Sequence, residues 1–427
     1  MKVKYKNRRH VWAILPVTIF FIILFACSKK NTGGGPPPPP PPLELDGEVS
    51  ILAGQEFQVI QGFGCATVFP PPGTTPLTSD EFDRLFGSGN GQVGLNILRI
   101  RVASDVDAAW RATELDHAKA AIQRGAKVIA CPWSPPARMK TNNSLIKGKL
   151  IPDSAANYAK YLNDFADYMA ANGAPLYAIS VQNEPDWEPD YESCVWTAVE
   201  MTAFLKNQGA LITSTRLMTP ELVNNNQNYV GTIMSDAGAV ANLDMLSTHL
   251  YGGGIVENQE AKSKGLEVWM TEHLVTDTNY SDNLNTAVEM HDCLTKANFN
   301  AYIWWYGKRF YGPVGQNGQV TKRGYIMSHF ARFIKEGAIR LGSSPNTQTE
   351  VLVSAYKNGA KKVVVVINTG TANVKQKVTF QGASAASVVP YLTNSSKNAE
   401  QGSAIAVTNN EFTYTIPFRS IVTFVEQ

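Results

Sequence analysis

Tyr177-Ala178-Ile179-Ser180-Val181-Gln182-Asn183-Glu184 is a short, mostly apolar run that closes on polar side chains, and Leu266-Glu267-Val268-Trp269-Met270-Thr271-Glu272 closes in the same way on a second glutamate. A strand buried on both faces reads as such a run, and the residues at its C-terminal tip are the first that can meet solvent and ligand. Working outward, similar β-rich runs occupy 59–64, 95–101, 127–133, 216–220, 243–249 and 300–306, which with 177–183 and 266–272 makes eight. Helical periodicity separates them, as in 155–171, where Ala156, Tyr158, Ala159, Leu162, Phe165, Ala166 and Met169 share a stripe. Eight such units in about 250 residues predict an α/β fold, a (β/α)8 TIM barrel. A doubly wound open sheet has the same element order, but no Gly-rich phosphate loop follows the first strand. The polar tips also favour closure. Arg99, Arg101, Trp133, Asn183, Glu184, His249, Tyr251, Glu272, His273, Trp304 and Trp305 all follow strand ends and would converge on one rim.

Beyond about Gly342 the apolar period falls to two, over 351–356, 362–367, 374–380, 387–392, 405–407, 412–416 and 420–425, with Asn358-Gly359 as a hairpin turn. The expected organisation is a barrel over 63–338 and a C-terminal antiparallel β-sandwich over 339–427, with an N-terminal strand in 48–62 pairing with the sandwich. The sandwich is read as a brace.

Glu184 and Glu272 lie 88 residues apart, three βα units, which suits strands four and seven. Two carboxyls about 5 to 5.5 Å apart are what a retaining glycosidase needs, one as nucleophile and one as acid then base. Arg99 could pair with Glu272 and keep it ionised, while Asn183 could bond a sugar 2-hydroxyl. Glu184 would then hold its proton, helped by negative Glu272 and by burial beside aromatic rings. Glu221 follows Pro220 and reads as a loop support. Trp133, Trp187, Tyr251, Trp304, Trp305, Tyr306 and Tyr311 suggest a groove for sugar rings. No metal or other cofactor is expected, since no His, Cys and carboxylate cluster has ligand spacing in the sequence.

The first 42 residues carry seven Lys or Arg and no acid, which leaves 31 basic against 36 acidic groups in the remainder. A mildly acidic body argues against nucleic acid as a partner and suits a neutral, hydroxyl-rich one. Basic residues, an apolar run from Val11 to Ala26 and then Leu24-Phe25-Ala26-Cys27 resemble a lipoprotein signal over 1–26, with Cys27 as the acylated residue; an uncut signal anchor is the other reading. Residues 27–47 read as a Gly/Pro-rich linker whose seven consecutive prolines, 36–42, form a stiff spacer. Export and a lipid anchor in a bacterial outer membrane are therefore expected, with Ser28 after the cysteine arguing against inner-membrane retention. Contact with the membrane is expected through the anchor only, and the chain is expected to be a monomer. Cys65, Cys131, Cys194 and Cys293 read as small buried hydrophobes, with one disulfide left open.

Ser180-Val181-Gln182-Asn183-Glu184-Pro185-Asp186, with Pro132-Trp133-Ser134-Pro135-Pro136 upstream, resembles glycoside hydrolase family 30 from about Gly62 through the sandwich. Trp304-Trp305-Tyr306-Gly307-Lys308-Arg309-Phe310-Tyr311-Gly312-Pro313, followed by Lys322-Arg323-Gly324-Tyr325, resembles that family's bacterial glucuronoxylanase subfamily. The resemblance implies Glu184 as acid/base, Glu272 as nucleophile, xylan as substrate, and Arg309, Tyr311 and Trp305 around a glucuronate branch. A guanidinium fork matches a carboxylate in two hydrogen bonds. The sequence departs from the subfamily at Leu274 and Asp277, where a Tyr and a Ser usually face the glucuronate, so the branch requirement is expected to be relaxed. Two other readings are carried beside the retaining endo-β-1,4-xylanase: another retaining activity of the family, of β-glucanase or fucosidase type, and a non-catalytic surface glycan-binding lipoprotein.

Overall fold

A computed structural model of the chain describes residues 44–69, 76–103 and 107–427. The expected signal, Cys27 and the proline run lie outside the described residues. Eight parallel strands close into a barrel: after β1 (Glu44–Ile60) come β2 (Gly62–Ala66), β3 (Ile97–Arg101), β4 (Lys127–Cys131), β5 (Ala178–Ser180), β6 (Arg216–Leu222), β7 (Met245–His249), β8 (Glu267–Glu272) and β9 (Ala301–Tyr306), with β9 pairing back onto β2. Helices alternate with them: α1 (Ser79–Phe86), α2 (Ala108–Ile122), α3 (Ala155–Ala171), α4 (Ala198–Gln208), α5 (Gln227–Met234), α6 (Ala237–Val240), α7 (Gln259–Ser263), α8 (Tyr280–Thr295) and α9 (Lys322–Ala331).

Local chemistry sets the ends of these elements. Thr78 and Thr197 each form a capping box, with Glu81 and Glu200 reaching back to the cap N–H, so α1 and α4 start where orphan donors are satisfied. On α3 the buried stripe is Tyr158, Ala159, Leu162, Phe165, Ala166 and Met169; Ala156, expected on it, faces solvent. Inside the barrel Ile97, Ile129, Ala178, Met218, Met245, Trp269, Ala301 and Ile303 form their own packed cluster. Their alternation places the next inward positions, Arg99 after Ile97 and Trp305 after Ile303, one level higher towards the C-terminal rim.

The remaining strands are β10 (Ala338–Ser343), β11 (Val351–Asn358), β12 (Lys361–Asn368), β13 (Asn373–Gln381), β14 (Ser387–Thr393), β15 (Glu400–Gln401), β16 (Ile405–Ala406), β17 (Glu411–Ile416) and β18 (Ser420–Glu426). With β1 they make one ten-stranded sheet in the order β15-β14-β18-β12-β11-β10-β1-β13-β17, β16 adding to β14. The sheet curls on itself, so Phe412 of β17 meets Phe424 of β18 with ring centroids 4.8 Å apart. Two details differ from the sequence expectation. The sheet is not wholly antiparallel, because β1 runs parallel to β13 from Glu44 to Leu52. The run 59–64 is also divided: Val59 and Ile60 pair with β10, and the first barrel strand starts only at Gly62, whose φ of 137° is open to glycine and strained for other residues.

Candidate active site

The rim is assembled around Arg99, which is fully buried at the top of β3. Its Nη1 donates to Glu272 Oε2 at 2.7 Å, and its Nη2 donates to Asn183 Oδ1 at 2.8 Å and to Glu221 Oε2 at 3.3 Å. The guanidinium lies over Trp133, 4.9 Å from the ring centroid, so the cation is held by a ring on one side and carboxylates on the other. One carboxyl oxygen each of Glu184 and Glu272 and a ring nitrogen of His249 all lie within 4.8 Å of one another. That carboxyl spacing suits the short, retaining geometry and leaves no room for the water an inverting enzyme places between its pair.

Glu184, in the turn after β5, has φ of 46°, a left-handed conformation rare for a glutamate, and its N–H donates to Glu221 O at 2.9 Å. Glu221 has φ of 53°. Backbone held in such regions is characteristic of functional sites, where surrounding structure sustains the strain. Tyr191 donates to Glu184 Oε2 at 3.0 Å, and His249 Nδ1 lies 3.3 Å from Glu184 Oε1. Tyr251 donates to Glu272 Oε1 at 2.9 Å, so both oxygens of Glu272 accept donors, the bonding pattern of a carboxylate.

The electrostatics correct two sequence expectations. Burial raises Glu184, but His249, Tyr191 and Arg99 outweigh it and hold the carboxyl below its ordinary range, so it is not kept protonated by apolar surroundings. Burial pushes Glu272 the other way, against His249 and Arg99, while the bond from Arg99 makes the pairing the sequence suggested. Glu221 is no loop support. It is fully buried, accepts from Arg99, His249 and Thr271, and these partners outweigh burial to hold it at about 2, the permanent anion beneath the site. Its position was visible in the sequence as a third glutamate at a strand end; Tyr191, in the loop after β5, carried no such signal.

Of the other expected ligand contacts, His249 is fully buried with Nε2 3.1 Å from Glu221, so both ring nitrogens face carboxylates and neither is free for a sugar. Trp304 is also fully buried, points outward from the barrel and carries Arg323 4.7 Å above its ring, so it is core. Trp133 is 3% exposed and packs against Trp305, centroids 5.8 Å apart, which leaves Trp305 as the more accessible ring of the two. Trp187, Tyr191 and Phe310 are the large rings most open to solvent. Asn183 gives its carbonyl to Arg99, so only its NH2 remains for a hydroxyl.

Arg309 lies on the 307–321 loop with its guanidinium 4.2 Å from the Tyr306 centroid, Tyr311 also close enough to feel its charge, and its Nε buried without a partner; no acidic side chain pairs with it among the described residues. Arg323 braces that loop, donating to the carbonyls of Tyr311, Val275 and Asp277 at 2.7, 3.0 and 2.7 Å. Lys308 pairs with buried Glu81 at 2.6 Å. The Asp277 side chain is exposed, and Leu274 packs on the barrel core.

The cluster of Glu184, His249 and Glu272 has the residue types of a metal site, which the linear spacing had hidden. Its donors are already committed, however. The Arg99 cation holds one Glu272 oxygen, and His249 sits between two carboxylates, an arrangement for sharing protons. The four cysteines are free and buried, which closes the question of a disulfide among them.

Paired glutamates, one following β5 and one ending β8, on the mouth of a (β/α)8 barrel have the spacing of a retaining glycoside hydrolase. The glycosyl hydrolase family 30 TIM-barrel domain matches residues 75–262. The chain is 36% identical over 392 residues to a glucuronoxylanase, XynC, of Bacillus subtilis strain 168, covering 88% of this chain and 91% of that protein. It superposes with a TM-score of 0.84 on a family 30 subfamily 8 xylanase from Clostridium acetobutylicum at 36% identity, covering 88% of this chain and 99% of the other. A family 30 endoxylanase from Clostridium papyrosolvens C71 gives 0.81 at 39% identity, covering 89% and 100%. The chain belongs to glycoside hydrolase family 30.

Proposed function

We propose that the protein is a retaining endo-β-1,4-xylanase that hydrolyses glucuronoxylan. The observation that carries this reading is Arg309, on the loop after β9, with no acidic partner among the described residues, in a barrel that brings oxygens of Glu184 and Glu272 within 4.8 Å of each other. Glu272 attacks the anomeric carbon, Glu184 protonates the leaving oxygen, and water activated by Glu184 then releases the glycosyl group. Arg309 offers a carboxylate-bearing branch a cation not neutralised by any neighbouring acid, and Tyr306 and Tyr311 give the site its walls. Leu274 and Asp277 bring no hydroxyl to that branch, so dependence on the branch is relaxed. The similar Bacillus and Clostridium enzymes carry xylanase names, which supports this reading over a β-glucanase or a fucosidase. We also read the protein as a lipoprotein anchored through Cys27 to an outer membrane; no helix among the described residues is long and apolar enough to cross one.

The test is incubation of residues 43–427 with glucuronoxylan and with debranched xylan, followed by product masses. Preferential cleavage of the branched polymer is expected, and Arg309→Ala should erase the preference while keeping activity on debranched chains. An unchanged preference in that variant would overturn branch recognition at Arg309, and cleavage of neither polymer would overturn the xylanase.

A further inference from the structure

His249 is placed oddly for a ligand contact and well for a proton store. It ends β7, is fully buried, and points Nδ1 at Glu184 Oε1 and Nε2 at Glu221 Oε2, 3.3 and 3.1 Å away, with Glu272 Oε2 at 3.9 Å from Nε2. A neutral imidazole has one N–H and one lone pair. Between two carboxylates, the lone pair would face a negative oxygen. With Glu221 held as an anion by Arg99 and Thr271, two arrangements avoid that clash: imidazolium with ionised Glu184, or neutral imidazole with protonated Glu184. Both hold the same number of protons, and Glu221 stays ionised in either.

We propose that His249 stores the proton that Glu184 delivers to the leaving group, so that acid catalysis draws on a buried imidazolium; this rests on the reading of Glu184 as acid/base. As glycosylation begins, the Nδ1–H bond breaks and an O–H bond forms on Glu184, leaving neutral imidazole whose Nε2–H still donates to Glu221. That O–H bond breaks towards the glycosidic oxygen, which leaves with the electron pair of its bond to C1, while a lone pair of Glu272 forms the new bond to C1. In the second half Glu184 takes a proton from the attacking water and returns it to Nδ1. His249 is a positioning residue that acts through Glu184.

The groups facing the ring agree with this. Glu184, Glu221 and Glu272 are carboxylates from the turn after β5, from β6 and from β8, Arg99 from β3 is the one cation among them, and Tyr251 stands edge-on at 6.0 Å with its hydroxyl committed to Glu272. Asp186, beyond Glu184, also feels the ring's charge. Burial opposes the imidazolium, but the three glutamates outweigh it and hold the ring at about 9. The same arrangement explains how Glu184 rests below its ordinary range and still serves as an acid.

The test replaces His249 by Asn in the protein and compares pH profiles of kcat/KM on whichever β-glycan the wild type cleaves. The wild-type basic limb should report the shared proton and extend towards pH 9; in His249→Asn it should move down by two pH steps or more, because Glu184 must then hold the proton alone. Loss should be tenfold or greater on the polysaccharide and small on an aryl glycoside of a strongly acidic phenol, which needs no protonation to leave. A basic limb that stays in place, or an equal loss on both substrates, would overturn the proposal. Should the variant not fold, 15N chemical shifts of the wild-type imidazoles decide: two protonated nitrogens on His249 at pH 8 are expected, and a neutral ring at pH 7 overturns it. The imidazole shifts are read without substrate, so failure of the store and failure of the xylanase reading are told apart.

Discussion

Arg99 holds the two anions that matter most, Glu272 and Glu221, and both are buried. Breaking such a network leaves an uncompensated charge inside the barrel, whereas the intact one is worth little beyond its geometry. Arg99→Met should therefore lower stability by about 3–5 kcal/mol in urea unfolding as well as abolish turnover. A variant that unfolds like the wild type would show that Glu221 finds its countercharge elsewhere. Glu184→Gln keeps shape and removes the proton, and should cost ~10²- to 10⁴-fold in kcat on a polysaccharide, the range of a general acid. A smaller loss would take that role from Glu184.

At the scale of elements, alternation along a strand decides which side chain does what. Along β9, Tyr302 and Trp304 face the helices while Ile303 and Trp305 face the barrel axis, so adjacent tryptophans have opposite fates, one under Arg323 and one on the rim. β12 shows the same rule in the side sheet: Val363, Val365 and Ile367 pack into the barrel's cluster, while Val364 and Val366 pack into the sheet's own core. A strand buried on both faces must read as an unbroken apolar run, as this one does. The loop 307–321 is positioned from outside by Arg323, whose three carbonyl acceptors belong to it and to the loop after β8. Arg323→Lys should raise KM on glucuronoxylan several-fold and change debranched xylan less, while the lost bonds cost about 1–3 kcal/mol in stability. Equal effects on both polymers would mean that the brace serves the whole fold and not the branch site.

Across the whole molecule, barrel and side sheet share one seam. His329 of α9 contacts Thr423 Oγ1 at 2.9 Å and Thr393 Oγ1 at 2.8 Å, and Lys322 at the same helix's start donates to the Asn394 and Lys397 carbonyls at 2.8 Å each. The described residues cluster as one compact unit, so a chain cut after residue 338 is expected to be insoluble, its α8 and α9 faces uncovered; a soluble, folded barrel would refute this. Burial, with a smaller push from Arg332, lowers His329 to about 3, and burial lowers His291 to about 4. Both are neutral when folded and gain a proton on unfolding below about 6.5, so the stability they allow is full above that pH and is lost as pH falls towards the folded values. Moving from pH 7 to pH 5 should cost about 2 kcal/mol for each, read as a falling Tm, and His329→Gln should flatten the slope. A Tm indifferent to this pH range would contradict the buried, neutral seam.

The sequence by itself determined the barrel, because strands buried on both faces and amphipathic helices leave periodic traces that survive without any knowledge of contacts. It determined the two glutamates as well, since each is the polar end of an apolar run and the interval between them counts out βα units. It could not determine partners. Whether Glu221 supports a loop or anchors a site, whether Trp304 faces sugar or helix, and whether His249 meets a substrate or two carboxylates are set by residues tens to hundreds of positions away. Register within the closed barrel and burial at its mouth decide them, and the protonation of Glu184 follows from a neighbour on another strand. The parallel pairing of β1 with β13 had no local signal either, because strand direction within a sheet is fixed by the path of the whole chain.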